Sequence, residues 1–266
     1  SVAYNKIAAM NSMYDFITTG DPTCVDRYFK EPYHNHNMRA PDGLDPVRSM
    51  AERGIGWRGQ HTIIRRVLAE GNLVLLHSLY SDLMGIKSQR VAMDLFLFDE
   101  GKIIEHWDAL EYAVAPDPSG LSQIDGSVDI HDIGMEEANR AIVTAFIKTV
   151  LMGGKTEYVG QFIDNDNYVV HSMQRAVGLR RERGSFIHAH GSAHAAYLGF
   201  HISLAEGNFV FVQGEGRIGD SQVLEVYDLF RLANGKIVEH WDVLQPLAPK
   251  SEWANANGPF GYAKLS

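Results

Sequence analysis

Two octapeptides, GKIIEHWD at residues 101–108 and GKIVEHWD at 235–242, each set a histidine two residues before an aspartate in an otherwise apolar run. An imidazole titrates near neutrality, and a desolvated carboxylate titrates above its usual value. The pair therefore suits taking up and returning a proton at pH 7. Side chains alternate across a strand, so Ile104, His106 and Asp108 should share one face and Ile103, Glu105 and Trp107 the other. The copy divides the same way, Val238, His240 and Asp242 against Ile237, Glu239 and Trp241. In the strand before, Asp94 shares a face with Phe96 and Phe98, and Asp228 with Phe230 and Leu232. A carboxylate among phenylalanines is costly to bury unless it is paired, protonated or used.

His36 and His171 fall at matching places on an earlier strand of each half. Two histidines and the aspartates, on elements that would line one cavity, make the candidate sets Asp94, His36, His106 and Asp108, and Asp228, His171, His240 and Asp242. Tyr33, Phe96 and Trp107, with Tyr168, Phe230 and Trp241, are candidates to line a substrate cavity. The tryptophans suit core packing equally. The competing expectation is structural: strand-end aspartates bonded to backbone amides or to Arg90 or Arg231, and histidines satisfied in the core.

Other chemistries find little support. His188, His190, His194 and His201 could hold a metal, but the first half keeps only His61 at that place and no carboxylate is interleaved, so no metal site is expected. No dinucleotide fingerprint, phosphate loop or G-x-S-x-G elbow is present, and no cofactor is expected. A net charge of −9 argues against a nucleic-acid partner, whose affinity rests on clustered cations. The single Cys24 allows no intrachain disulfide and suits a reducing cytoplasm. No long apolar run or basic-then-apolar leader is seen, so neither a membrane span nor a signal peptide is expected.

The elements that must position these residues are also written twice. Glu70-Gly71-Asn72-Leu73-Val74 answers Glu206-Gly207-Asn208-Phe209-Val210, and Met93-Asp94-Leu95-Phe96 answers Tyr227-Asp228-Leu229-Phe230, at offsets of 134 to 136 residues. Each half opens with helical spacing: Ile7, Met10, Tyr14 and Ile17 in the first, Ile142, Ala145, Phe146, Thr149 and Val150 in the second. A short strand (YHNHN or NYVVHS) follows, then a helix capped near Asp45-Pro46. Long strands come last, closing in hairpins at Glu100-Gly101 and Asn234-Gly235. The expected fold class is α+β, with helices packed on a curved antiparallel sheet in domains 1–118 and 134–266 joined by a linker at 119–133.

Asp228-Leu229-Phe230-Arg231, the run from Asn234 to Pro246, and the tail Asn255-Ala256-Asn257-Gly258-Pro259-Phe260 resemble the SnoaL-type polyketide cyclases of the nuclear transport factor 2-like superfamily. Tyr33-His34-Asn35-His36-Asn37 and Pro41-Asp42-Gly43-Leu44 are similar to that family's first strand and the loop after it. The resemblance covers nearly the whole chain, once per half. It implies cone-shaped domains paired through their sheets as an intrachain pseudo-dimer, with room for a further homodimer, and a small-molecule substrate. It also implies cofactor-free aldol ring closure with a pocket aspartate as acid and base. The base would be Asp94 or Asp228. The histidines would be donors or relays, and Asp108 and Asp242 would orient them or serve as the alternative base. The second half departs from the family at Ala176-Val177-Gly178 and Val169, so the two pockets are expected to differ. Two further functions stay open: a non-catalytic binder of an apolar small molecule, and a hydrolase or dehydratase using the same pocket.

Overall fold

The computed structural model describes residues 1–19, 21–53, 61–81, 88–172, 195–218 and 222–263. Its packing divides into two units: Ser1–Ala113 with Ala248–Ser266, and Val114–Leu247. Each unit sets helices against one five-stranded sheet, the α+β architecture that the repeated pattern predicts. The division differs from the expected boundaries at both ends. Residues from 114 onward pack with the second unit, and residues from 248 onward pack with the first. These two segments supply backbone carbonyls that buried imidazole and indole N–H groups would otherwise lack. Among the described residues, no helix is long and apolar enough to cross a membrane.

In the first unit α1 (Val2–Met13), α2 (Cys24–Tyr28) and α3 (Leu44–Glu52) accompany β1 (Phe29–Asn35), β2 (His61–Glu70), β3 (Leu73–Ser81), β4 (Arg90–Asp99) and β5 (Lys102–Tyr112). The sheet order is β1-β5-β4-β3-β2. β1 joins β5 in parallel, a departure from the all-antiparallel expectation, and the other pairs are antiparallel. The face that α1 buries is Asn5, Ala8, Ala9 and Ser12, not the expected Ile7 and Tyr14, which are exposed. Small side chains let this helix lie close on the sheet, and that displaces the larger ones outward. α3 begins ahead of the Asp45-Pro46 signal because Glu31 of β1 accepts the Leu44 N–H at 3.0 Å and caps the helix from outside.

The second unit repeats the plan with α4 (Glu136–Phe146), α5 (Val159–Phe162), β6 (Val169–His171), β7 (Ala195–Glu206), β8 (Phe209–Ile218), β9 (Gln222–Ala233) and β10 (Lys236–Pro246), in sheet order β6-β10-β9-β8-β7. Here the helical face falls where the spacing puts it. Phe146 and Val150 are buried, and Phe146 meets Phe230 edge-on at 6.1 Å between ring centres.

Both hairpins carry the two left-handed residues that a tight type I′ turn needs: Glu100 and Gly101 at φ 49° and 79°, Asn234 and Gly235 at φ 51° and 72°. Just after each turn the register slips by one residue, at Ile104 in β5 and Val238 in β10. The bulge corrects the face assignment. Ile103 and Ile237 join the helix-side cores with Phe98 and Leu232, while Glu105, Trp107, Glu239 and Trp241 stay on the other face.

Candidate functional site

On the helix side of the first sheet, β4 and β5 pair Asp94 with Asp108 and Phe96 with His106. The His106 ring stacks on Phe96 at 4.7 Å, and its Nε2 meets Asp94 Oδ1 at 3.1 Å. Tyr80 of β3 donates its hydroxyl to Asp94 Oδ2 at 2.6 Å, so both oxygens of Asp94 are engaged. Asp108 is held at one oxygen only: Asn37 Nδ2 donates to its Oδ2 at 3.0 Å. Its Oδ1 is buried and has no hydrogen-bond partner among the described residues. Tyr33 lies near enough to feel Asp108, and its phenol is raised by burial and then by that charge.

Electrostatics separates the roles of the two carboxylates. Burial raises the Asp108 carboxyl above its ordinary range; His106 opposes, Asp94 adds to the rise, and Asn37 opposes again. For His106, burial works against the charged form, but the hydrogen bond to Asp94 and the charges of Asp108 and Asp94 outweigh it, and the imidazole is raised. The site thus holds a reluctant carboxylate beside a readily protonated imidazole, the two polarities that acid–base catalysis requires. The two carboxylates differ in what holds them: both oxygens of Asp94 are engaged, while Asp108 keeps one oxygen without a hydrogen-bond partner among the described residues.

The second unit builds the same cluster. His240 Nε2 meets Asp228 Oδ1 at 2.8 Å and its ring stacks on Phe230, while Asp242 lies across from Asp228. Tyr168 stands near both carboxylates; its phenol is raised by burial, then by Asp242 and Asp228. No tyrosine aligns with Tyr80, whose place opposite Thr62 is taken in β8 by Gly216 opposite Tyr197. Tyr197 reaches across from β7 over Gly214, where a Cβ would collide with its hydroxyl, and it lies near Asp228. Burial and then the Asp228 carboxylate hold its phenol well above the usual value. A phenol is thus brought near the carboxylate from one strand over.

His36 and His171 do not join these clusters, because they lie on the opposite sheet face. His36 stacks on Trp107 at 4.7 Å and meets Glu105 at 2.7 Å; His171 stacks on Trp241 at 5.1 Å and meets Glu239 at 2.9 Å. The parallel register explains this: Asn35 is level with His106 on β5, so the next residue, His36, is level with Trp107, and His171 pairs directly with Trp241. Trp107 and Trp241 are likewise buried away from the aspartates. The remaining Nδ1 of each histidine faces a carbonyl, Gly258 O at 2.6 Å and Ser122 O at 2.9 Å, and since a carbonyl only accepts, that nitrogen carries a proton.

Sequence reasoning missed Tyr80, Tyr197, Asn37, Glu105 and Glu239. For Glu105 and Glu239 the signal was present, a carboxylate alternating with isoleucine and tryptophan. Asn37 follows His36 in the motif already singled out. The tyrosines carry no signal, since they occupy non-equivalent strands. Arg231 bonds Glu239 at 2.7 Å and not Asp228, and Arg90 lies over the Tyr112 ring, so the arginine alternative for the aspartates does not hold. Cys24 is buried, and burial pushes its thiol up to about 11, which suits packing and not nucleophilic chemistry. Of the histidine-rich run, His188, His190 and His194 lie outside the described residues, and His201 meets Glu215. Asp94, His106 and Asp108 each offer a ligand atom within 4.8 Å of the others, as do Asp228, His240 and Asp242, but in both sets the imidazole Nε2 is already bonded to the first carboxylate.

No family model and no curated protein matches the chain. Solved structures do. TsrD from Streptomyces laurentii is 18% identical over 42% of this chain and 90% of its own, with a TM-score of 0.36. A proposed polyketide cyclase from Bacillus cereus is 22% identical over 40% and 74%, with a TM-score of 0.35. A nuclear transport factor 2-like protein of unknown function from Cytophaga hutchinsonii is 16% identical over 45% and 95%, with a TM-score of 0.33. The likeness is one of fold, and each of these matches spans less than half of this chain.

Proposed function

We propose that the N-terminal unit is an acid–base catalyst acting on a small apolar carbonyl compound. Asp108 removes a proton from the carbon beside the carbonyl, and His106 supports the oxygen that becomes negative. The observation that carries this is the Oδ1 of a buried, reluctantly ionised Asp108, which has no hydrogen-bond partner among the described residues, next to an imidazole whose Nε2 is fixed by Asp94. With Nε2 committed, Nδ1–H of the protonated ring is the donor available to an enolate oxygen. The walls are apolar and aromatic: Phe16, Ile17, Tyr80 and Ala92 on one flank, Tyr33 and Phe96 on the other.

Proton and electron flow balance within the site. The C–H pair becomes the enolate, the proton moves to Asp108, and the carbonyl oxygen takes a hydrogen bond from His106. If the enolate carbon then attacks a second carbonyl in the same molecule, a ring closes, and the new alkoxide recovers the proton from Asp108. If the proton returns at a different carbon, the outcome is isomerisation. Both begin with the same step, so proton exchange is the direct probe. The wild-type protein should exchange the α protons of cyclohexanone in D2O, followed by proton NMR, and Asp108→Asn should lose about 10²–10⁴-fold of that rate. Saturable binding of the ketone with no exchange would support a carrier instead and remove the catalytic reading.

A further inference from the structure

We propose that residues 254–263 are a positioning element for the N-terminal site, with Asn255 and Asn257 fixing the loop that presents Asn37 to Asp108. This rests on the reading of Asp108 as the base. Beyond Asn35, β1 has ended and little of the sheet ladder remains to hold the chain, yet Asn37 must aim one amide group at a buried carboxylate. The missing order comes from the far end of the sequence. Asn255 Nδ2 donates to Asn37 O at 2.8 Å and Ala40 O at 2.9 Å, and its Oδ1 accepts from Asn257 N. Asn257 Nδ2 donates to Asn35 O at 3.0 Å and Asp42 Oδ1 at 2.7 Å, and Ala254 N donates to Met38 O at 2.8 Å.

These partners fix the amide orientations without ambiguity, because backbone carbonyls only accept. The same logic carries to Asn37. Its Oδ1 accepts from Arg39 N at 2.9 Å, so Nδ2 is the group turned toward Asp108. Trp107 Nε1 donates to Gly261 O and Ala263 N donates to Glu105, which pins the far end of the segment to β5. Asn37 favours the ionised form of Asp108, so a loosened loop raises its pKa and leaves less of it ionised at a given pH.

The second unit shows what the fold does without this device. The contacts at Gly258 and Gly261 correspond to those at Ser122 and Asp125, an offset of 136 in both cases (258 − 122 and 261 − 125). At the same offset Asn255 and Asn257 correspond to Ser119 and Leu121. Ser119 bonds Asp117 in its own turn, and leucine offers no side-chain donor. The residue after His171 is Ser172, where the first unit has Asn37. The linker thus keeps the carbonyl contacts to the histidine and tryptophan and lacks the asparagine clamp.

The test uses the full-length protein and the substitution Asn255→Ala, read by cyclohexanone exchange and by carbon-13 NMR titration of the aspartate carboxyls, with Asp108→Asn identifying the Asp108 signal. The other titratable groups around Asp108, namely Tyr33, Tyr80, Asp94 and His106 on β1, β3, β4 and β5, are untouched by the change. We expect kcat to fall roughly tenfold with KM within about twofold. The acidic limb of the rate profile and the Asp108 titration should both move to higher pH. If Asn255→Ala fails to fold, Asn257→Ala keeps the two bonds from Asn255 and should show the same shift at smaller amplitude. An Asp108 titration identical to wild type in a folded variant overturns the proposal. A wild-type protein that exchanges no ketone protons, but whose Asp108 titration still moves in the variant, would keep the positioning role and sink the catalytic reading.

Discussion

The two clusters share every letter of aspartate, histidine and aspartate, and differ in how they meet solvent. In the first unit the His106 side chain is 14% exposed and Asp108 is 8% exposed; in the second, His240 and Asp242 are at 1% and 2%. The first carboxylate of each cluster is buried in both, so the difference lies in the residues that would touch a substrate. Their support differs as well. Asn37 holds Asp108 where the other half has Ser172, and Glu105 takes its bond from Ala263 where Glu239 takes one from Arg231. Duplication copied the donor set, but access and second contacts were set separately in each unit. The same three residues therefore sit in different surroundings, and the proposed chemistry rests on those surroundings.

The contrast should break most visibly at the histidines. His106→Ala is expected to lower ketone exchange by about 10²–10³-fold, whereas His240→Ala should leave it within about twofold. Equal losses would place catalysis in both units. Asp94→Asn should cost about 10–100-fold, because the amide supports the imidazolium less well, and the alkaline limb of the rate profile should move to lower pH. Tyr80→Phe leaves a buried carboxylate oxygen of Asp94 without its donor, and chemical denaturation should show a loss of about 1–3 kcal/mol.

Asp108→Asn carries the opposite sign for stability. Because the folded-state pKa of Asp108 is raised, its contribution favours the fold at low pH and is lost as pH rises through that pKa. Substitution removes the penalty at neutral pH. The inactive variant should then melt about 2–4 °C higher if the relief is about 1 kcal/mol, measured by calorimetry. His106 is also raised, so the stability it contributes is present below its ordinary value of 6.5 and fades as pH climbs through the raised one.

Much of this was legible in the sequence. The duplication, the α+β class and both hairpins follow from repeated letters and from turn residues that tolerate positive φ. The shared face of Asp94, His106 and Asp108 was also legible, because strand alternation is a local rule. The rest depended on longer range. A one-residue bulge moved Ile103 to the helix side, and parallel pairing of β1 put His36 level with Trp107 and away from the aspartates. The exchanged segments could not be foreseen, since a composition rich in proline, glycine and serine marks a connection but says nothing of which unit it will satisfy. The change from Thr62/Tyr80 to Tyr197/Gly216 shows why aligned letters missed the phenols: cross-strand partners can swap without moving the group they deliver.

The most direct test is the pH dependence of cyclohexanone α-proton exchange by the wild-type protein and by Asp108→Asn and Asp242→Asn. The account predicts a bell whose acidic limb lies above the ordinary carboxylate range, absent in Asp108→Asn and unchanged in Asp242→Asn. An acidic limb that survives Asp108→Asn, or disappears with Asp242→Asn, would contradict it.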